Sequence, residues 1–245
     1  MTLVLVEAVT FARRLARRRV VLTTLTLDLA AVVWLALIAP VASVRAAWTA
    51  AQGLGVLTTL VLASGCIADD RAAGRLLLCA THPVPRSALL LGRWLAVAAG
   101  AAAVTVPAIL LIALAGPGAG RLSAFALGAA AACVHLLALA ALAAALSTEA
   151  GATAQVLTLL GVLVIGAVPP EVPAGMLAAP WLEPVARVAW TVLPTPWALG
   201  RIQAWALGVE GPHPLLAVGL LAQAPLALAL GTRTLARAEL GSRWL

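Results

Sequence analysis

LSAFALGAAAACVHLLALAALAAAL, residues 122–146, carries one ionisable side chain, His135, in an otherwise unbroken Ala- and Leu-rich run. A helix rises about 1.5 Å per residue, so a run of this length extends about 37 Å, longer than the roughly 30 Å hydrocarbon core of a bilayer. Working outward, five more stretches read the same way: residues 20–44, 46–68, 87–115, 152–168 and 215–230. The whole chain agrees with them, since 63% of its 245 residues are hydrophobic and only 10% are charged, with a mean hydropathy of +1.07. Those values lie well outside the range of soluble domains. The expected fold is all-α and integral to a membrane, one domain over residues 1–245 with six spans. Short connections leave no room for a soluble catalytic domain.

Charge placement sets the expected orientation. All sixteen basic residues are Arg and none is Lys, a bias we assign to genome composition. Five Arg lie between residues 13 and 19, and the apolar run after them is of spanning length, so it reads as an uncleaved first helix and not a removed signal peptide. Residues 1–19 place Glu7, Thr10, Arg14 and Arg17 on one helical face and Leu5, Val9, Ala12 and Ala16 on the other. Two readings fit: an amphipathic helix lying on the membrane, or a basic flank anchoring the first span. With this end in the cytosol and six spans, Arg13, Arg14, Arg17, Arg18, Arg19, Arg71, Arg75, Arg86, Arg93, Arg233, Arg237 and Arg243 fall inside. Only Arg45, Arg121, Arg187 and Arg201 fall outside. The positive-inside rule therefore favours both termini in the cytosol. Cys66, Cys79 and Cys133 show no paired or metal-ligand spacing and read as packing residues.

Between the second and third spans lies the most informative stretch, Ile67-Ala68-Asp69-Asp70-Arg71-Ala72-Ala73-Gly74-Arg75-Leu76-Leu77-Leu78. It continues through His82-Pro83-Val84-Pro85-Arg86 to Gly92-Arg93-Trp94. Acids at its start and Arg near its end suit the dipole of a short helix from about residue 69 to residue 80. Taken alone, Asp69, Asp70 and Arg71 could equally be a solvated turn carrying topogenic charge.

In these residues the chain resembles the ABC-2-type permease family, the membrane subunits of many bacterial exporters. The pattern is an acidic pair followed by Arg, Gly three residues on, a leucine run, a Pro-x-x-Arg-like stretch and a Gly followed by a basic residue. Here those positions are Asp69, Asp70, Arg71, Gly74, Pro83, Arg86, Gly92 and Arg93. Arg75 stands where members often have Thr or Ser, and Leu77 where an acid is common. The resemblance implies that residues 69–86 form a coupling helix, with Asp69, Asp70, Arg71, Gly74, Arg75 and Arg86 meeting a separate ATPase dimer. It implies further that ATP and Mg are bound by that partner, that two permease subunits form the pathway, and that the chain sits in the bacterial cytoplasmic membrane. Its cargo would be a hydrophobic or amphipathic substrate moved outward. The chain itself has no Gly-x-x-x-x-Gly-Lys-Ser/Thr phosphate loop and so no ATPase site of its own.

Three further polar residues fall at or inside the apolar runs. Asp28 is either an intramembrane functional group or an interfacial carboxylate paired with an Arg such as Arg93, and His135 reads as a packing or bundle hydrogen-bonding residue. Residues 169–214 hold nine of the fifteen Pro and four of the eight Trp, so they cannot form one helix and read as short interfacial or re-entrant helices at the outer surface. Glu171, Glu183 and Glu210 would line an outer exit there, or belong to an interfacial collar with no substrate contact. Asp28 and His135 are too small an inventory for an intramembrane protease, and Asp69 and Asp70 lack the second acidic pair of a phospholipid-forming transferase. An enzyme, a metal cofactor and a nucleic-acid partner are thus not expected. An ion-coupled secondary transporter and a non-enzymatic membrane scaffold stay open beside the permease.

Overall fold

The computed structural model describes residues 2–38, 44–72, 85–115, 122–176, 179 and 181–238. Among these the chain is helical, with no strand. In order, the helices are α1 (Thr2–Leu15), α2 (Arg19–Ile38), α3 (Val44–Ala63), α4 (Ala68–Ala72), α5 (Arg86–Ala115), α6 (Leu122–Leu146), α7 (Ala152–Ile165), α8 (Glu171–Met176), α9 (Leu182–Val192), α10 (Pro196–Ala206) and α11 (Pro214–Ala238). Among the described residues four segments are long and apolar enough to cross a membrane: Trp48–Asp70, Arg86–Leu114, Phe125–Leu146 and Pro214–Arg237.

The run that opened the sequence becomes the central post. α6 packs on α3, α5, α7, α10 and α11, and Ala131, Ala132, Ala138, Ala140, Ala141, Ala143 and Ala144 are all buried along it. Ala on every side lets neighbouring backbones come close, the usual route to tight helix association where lipid supplies no hydrophobic drive. Gly128 carries this furthest, because a Cβ there would overlap the benzo end of the Trp48 indole. Trp48 is buried and meets Phe125 edge-on, with ring centroids 5.4 Å apart.

Two apolar clusters mark the two ends of the bundle. One gathers Phe11, Leu15, Ile67, Leu90, Leu139, Leu159 and Leu228 near the end that holds α1. The other gathers Val32, Trp48, Ile109, Ile112 and Phe125 about the far ends of α2, α3, α5 and α6. Since α3 runs from Trp48 in the second cluster to Ala63 in the first, its length separates them.

Several boundaries and faces differ from expectation. α7 has 14 residues, rising about 21 Å, short of the roughly 30 Å core. It stops where Gly166 O accepts the Trp197 backbone N–H at 3.1 Å. The last helix reaches Ala238, well past residue 230, and carries Arg233 and Arg237 on it. α1 packs on α5 through Ala8, Phe11 and Leu15, so the face assigned as apolar, Leu5, Val9, Ala12 and Ala16, is the exposed one. Glu7, expected among exposed polar groups, is turned toward α5.

Residues 169–214 do break into short helices, and proline position explains where. Pro173, Pro184, Pro196 and Pro214 each fall in a first turn, where the missing N–H is not needed. α9 packs on α11, and Gln223 of α11 donates to Thr191 O and Leu193 O, both at 2.8 Å, satisfying carbonyls at the α9 terminus.

Candidate functional site

At the α1 end, α3 closes with Gly65 in the left-handed region, φ +67°, a conformation glycine adopts without the Cβ penalty. Gln155 of α7, fully buried, locks this turn. Its Oε1 accepts the Gly65 N–H at 3.1 Å, and its Nε2 donates to Ala63 O and Ala143 O, each at 2.9 Å. The chain then re-enters helix as α4, bearing Asp69 and Asp70.

Both carboxylates are engaged within the chain. Asp70, 6% exposed, pairs with Arg93 of α5, and Arg14 of α1 lies 3.6 Å from the same oxygen. Asp69 receives Arg18 at 2.8 Å, and Arg18 also donates to Ser64 O at 3.3 Å. Arg93, 1% exposed, donates to Cys66 O as well, lies 3.5 Å from Glu7, and stacks over the Phe11 ring at 5.1 Å. Glu7 gets there because residue 92 is glycine: a Cβ at Gly92 would fall 2.8 Å from Glu7 Cβ and 3.0 Å from Val4 O. Three carboxylates and three guanidiniums thus tie α1, α4 and α5 together. A fixed charge this deep is tolerable only when paired and hydrogen-bonded.

Other expected residues of this end divide. Arg86 is exposed at the start of α5. Arg71 lies in α4, its side chain outside the described residues, as are Gly74 and Arg75 altogether. The expected pairing of Asp28 with Arg93 does not occur, because Arg93 is spent on Asp70, Glu7 and Cys66 O. Asp28, buried in α2, instead accepts the Thr58 hydroxyl at 2.6 Å, while its Oδ1 has no hydrogen-bond partner among the described residues. His135 is buried in α6, and its Nδ1 likewise has none.

At the opposite end, two cavities of about 710 and 430 Å³ share Pro169, Trp197 and Arg201 in their walls. Glu171 lines the larger and Glu210 the smaller, whereas Glu183 lines neither. Arg187 holds Glu171 at 2.9 Å and Glu183 at 2.7 Å, and Glu210 holds Arg201 at 3.0 Å and His213 at 3.1 Å. Trp48, Gln52 and Gln203 also border the smaller cavity. Among the described residues no cluster of His, Cys, Asp or Glu could hold a metal ion.

Sequence reasoning missed Glu7, Gln52, Gln155, Gln203 and Gln223. Gln52, Gln155 and Gln223 had a signal available, since each is a lone amide within an apolar run, and a buried amide must find partners. No family model matches this sequence, and no curated protein matches it.

Proposed function

We propose that this chain is the permease subunit of an ATP-binding-cassette transporter, driven by a separate ATPase and moving a hydrophobic or amphipathic substrate outward. In this reading α2 and α7 supply the first and fifth of six spans, both termini face the cytosol of a bacterium, and a second permease copy or homologue completes the pathway. Residues 69–86 meet the ATPase, which binds ATP and Mg. The observation that carries the reading is the joint built around Asp69, Asp70, Gly92 and Arg93. Four of the eight family-like residues, Asp69, Asp70, Gly92 and Arg93, meet in one ion-paired knot linking α1, α4 and α5, so a push on α4 would be delivered to whole spans.

Co-purification of the detergent-solubilised chain with the ATPase encoded beside it tests this. Arg75→Glu is the informative variant, since Asp69 and Asp70 substitutions would break the knot itself. Wild type should retain the ATPase, and Arg75→Glu should lose it at unchanged unfolding temperature. Failure of wild type to bind any such ATPase ends the permease reading. Asp28, one carboxylate oxygen of which has no partner among the described residues, favours ion-coupled transport as the second reading. Uptake or efflux by ATPase-free vesicles, abolished by Asp28→Asn, would select it.

A further inference from the structure

Hydrogen bonds around Asp28 do not balance if its carboxyl is ionised. In that state Oδ2 takes its bond from the Thr58 hydroxyl, 2.6 Å away. The same hydroxyl stands 2.8 Å from Leu54 O, and it has one hydrogen to give. Other threonines of the bundle show where such a hydrogen goes. Thr23, Thr24 and Thr26 of α2, Thr59 of α3 and Thr105 of α5 each donate to the carbonyl four residues back. With Thr58 doing the same, its oxygen faces Asp28 as an acceptor, and the hydrogen between them belongs to Asp28. Nor does a cation answer the charge. Arg93, brought by α5, is engaged with Asp70, Glu7 and Cys66 O. Arg45 begins α3, about 20 Å along the helix from Thr58. An ionised Asp28, 1% exposed, would thus be a buried charge with one hydrogen bond and no counter-charge among the described residues, the costliest state for such a group.

We propose that Asp28 is a proton-binding site, filled in this fold, and that its ion is the proton and not a metal cation. Asp28 Oδ2–H donates to Thr58 Oγ1, and Thr58 donates to Leu54 O, so each hydrogen has an acceptor and the carboxyl is neutral. A hard metal cation asks for about six oxygens. Here α2 and α3 run unbroken past Asp28 and Thr58, which keeps their carbonyls in the helices. A 1% exposed side chain also admits nothing larger than a proton. Thr24, one turn toward the α1 end on the same face of α2, is half-buried and marks the way a proton takes to it. A role for that proton in transport rests on the ion-coupled reading, whereas the site itself rests on these hydrogen bonds.

The chain has three Asp, namely Asp28, Asp69 and Asp70, so carbon-13 labelling of the Asp carboxyls gives three NMR signals from the full chain in phosphatidylcholine nanodiscs. At neutral pH one signal is expected at the carboxylic-acid position. The other two belong at the carboxylate position, since guanidiniums hold Asp69 and Asp70. Asp28→Asn should remove the acid signal and leave the others unmoved. Should that variant fail to fold, Asp28→Glu keeps a carboxyl at the site while losing the same labelled signal. Added sodium chloride should leave the acid signal in place. Three carboxylate signals in wild type, an acid signal that survives in the folded variants, or one that sodium moves to the carboxylate position overturns the proposal. An acid signal at Asp28 in vesicles where a pH gradient drives no transport still supports the proton site and ends only the ion-coupled reading.

Discussion

The two ends of this bundle treat buried polarity in opposite ways. Around Arg93 each carboxylate has its guanidinium, Asp70 and Glu7 with Arg93 and Asp69 with Arg18, although Arg93 Nε itself has no hydrogen-bond partner among the described residues. Around Trp48, three N–H donors have no acceptor among the described residues. A network of paired charges holds one geometry, whereas an unsatisfied buried group is a standing free-energy cost.

Removing Arg93 should break the contrast most severely. Arg93→Met takes the closest cation from the buried Asp70 carboxylate, leaving Arg14 at 3.6 Å, and takes the donor from Cys66 O; breaking a buried pair costs about 3–5 kcal/mol. Unfolding in mixed micelles should register that loss, and Asp70→Asn in the same chain should recover part of it. A loss below about 1 kcal/mol, judged against exposed pairs, would mean the knot is only a surface ion pair. Next in size is Gln155→Leu, which deprives the Gly65 N–H and two carbonyls of their partner. About 2 kcal/mol is expected from an unsatisfied buried group, together with faster amide exchange at Gly65.

How far the sequence reached depended on whether a feature was local. α6 was legible because residues 122–146 are mostly Ala and Leu, with His135 their one basic side chain, and the proline-broken region was legible because prolines as dense as Pro173, Pro184, Pro196 and Pro214 favour helix starts. The face of α1 was not. Leu5, Val9, Ala12 and Ala16 repeat at helical spacing, but so do Ala8, Phe11 and Leu15, and only the approach allowed by Gly92 decides that the second set is buried. That same approach brings Glu7 to Arg93 and so leaves Asp28 to Thr58. Pairings between charges in different spans depend on depth and rotation, which spacing along one chain does not encode. Gln52 and Gln203, 151 positions apart by number, meet at one cavity for the same reason.

Smaller effects sharpen the comparison at the cavity end. Arg187→Ala removes the ion pairs to Glu171 and Glu183, but Arg187 is 53% exposed, and exposed pairs contribute at most about 1 kcal/mol. Its unfolding free energy should fall by less than that, and should fall less still at high salt, where screening has already weakened the pairs. A loss near that of Arg93→Met would show that the outer charges form a second structural knot.

The smallest expected change is the most discriminating. Gln203→Leu keeps nearly the same side-chain volume and removes a buried donor that has no partner among the described residues. Where a donor is satisfied, its loss destabilises by about 1 kcal/mol; where it is unsatisfied, its loss relieves a desolvation cost and is neutral or favourable. Gln155→Leu and Gln203→Leu are therefore the same chemical change at the two ends, with opposite expectation: a clear drop in unfolding free energy for the first, and no drop or a small rise for the second. If Gln203→Leu destabilised the chain as much as Gln155→Leu, Nε2 would have a structural acceptor after all.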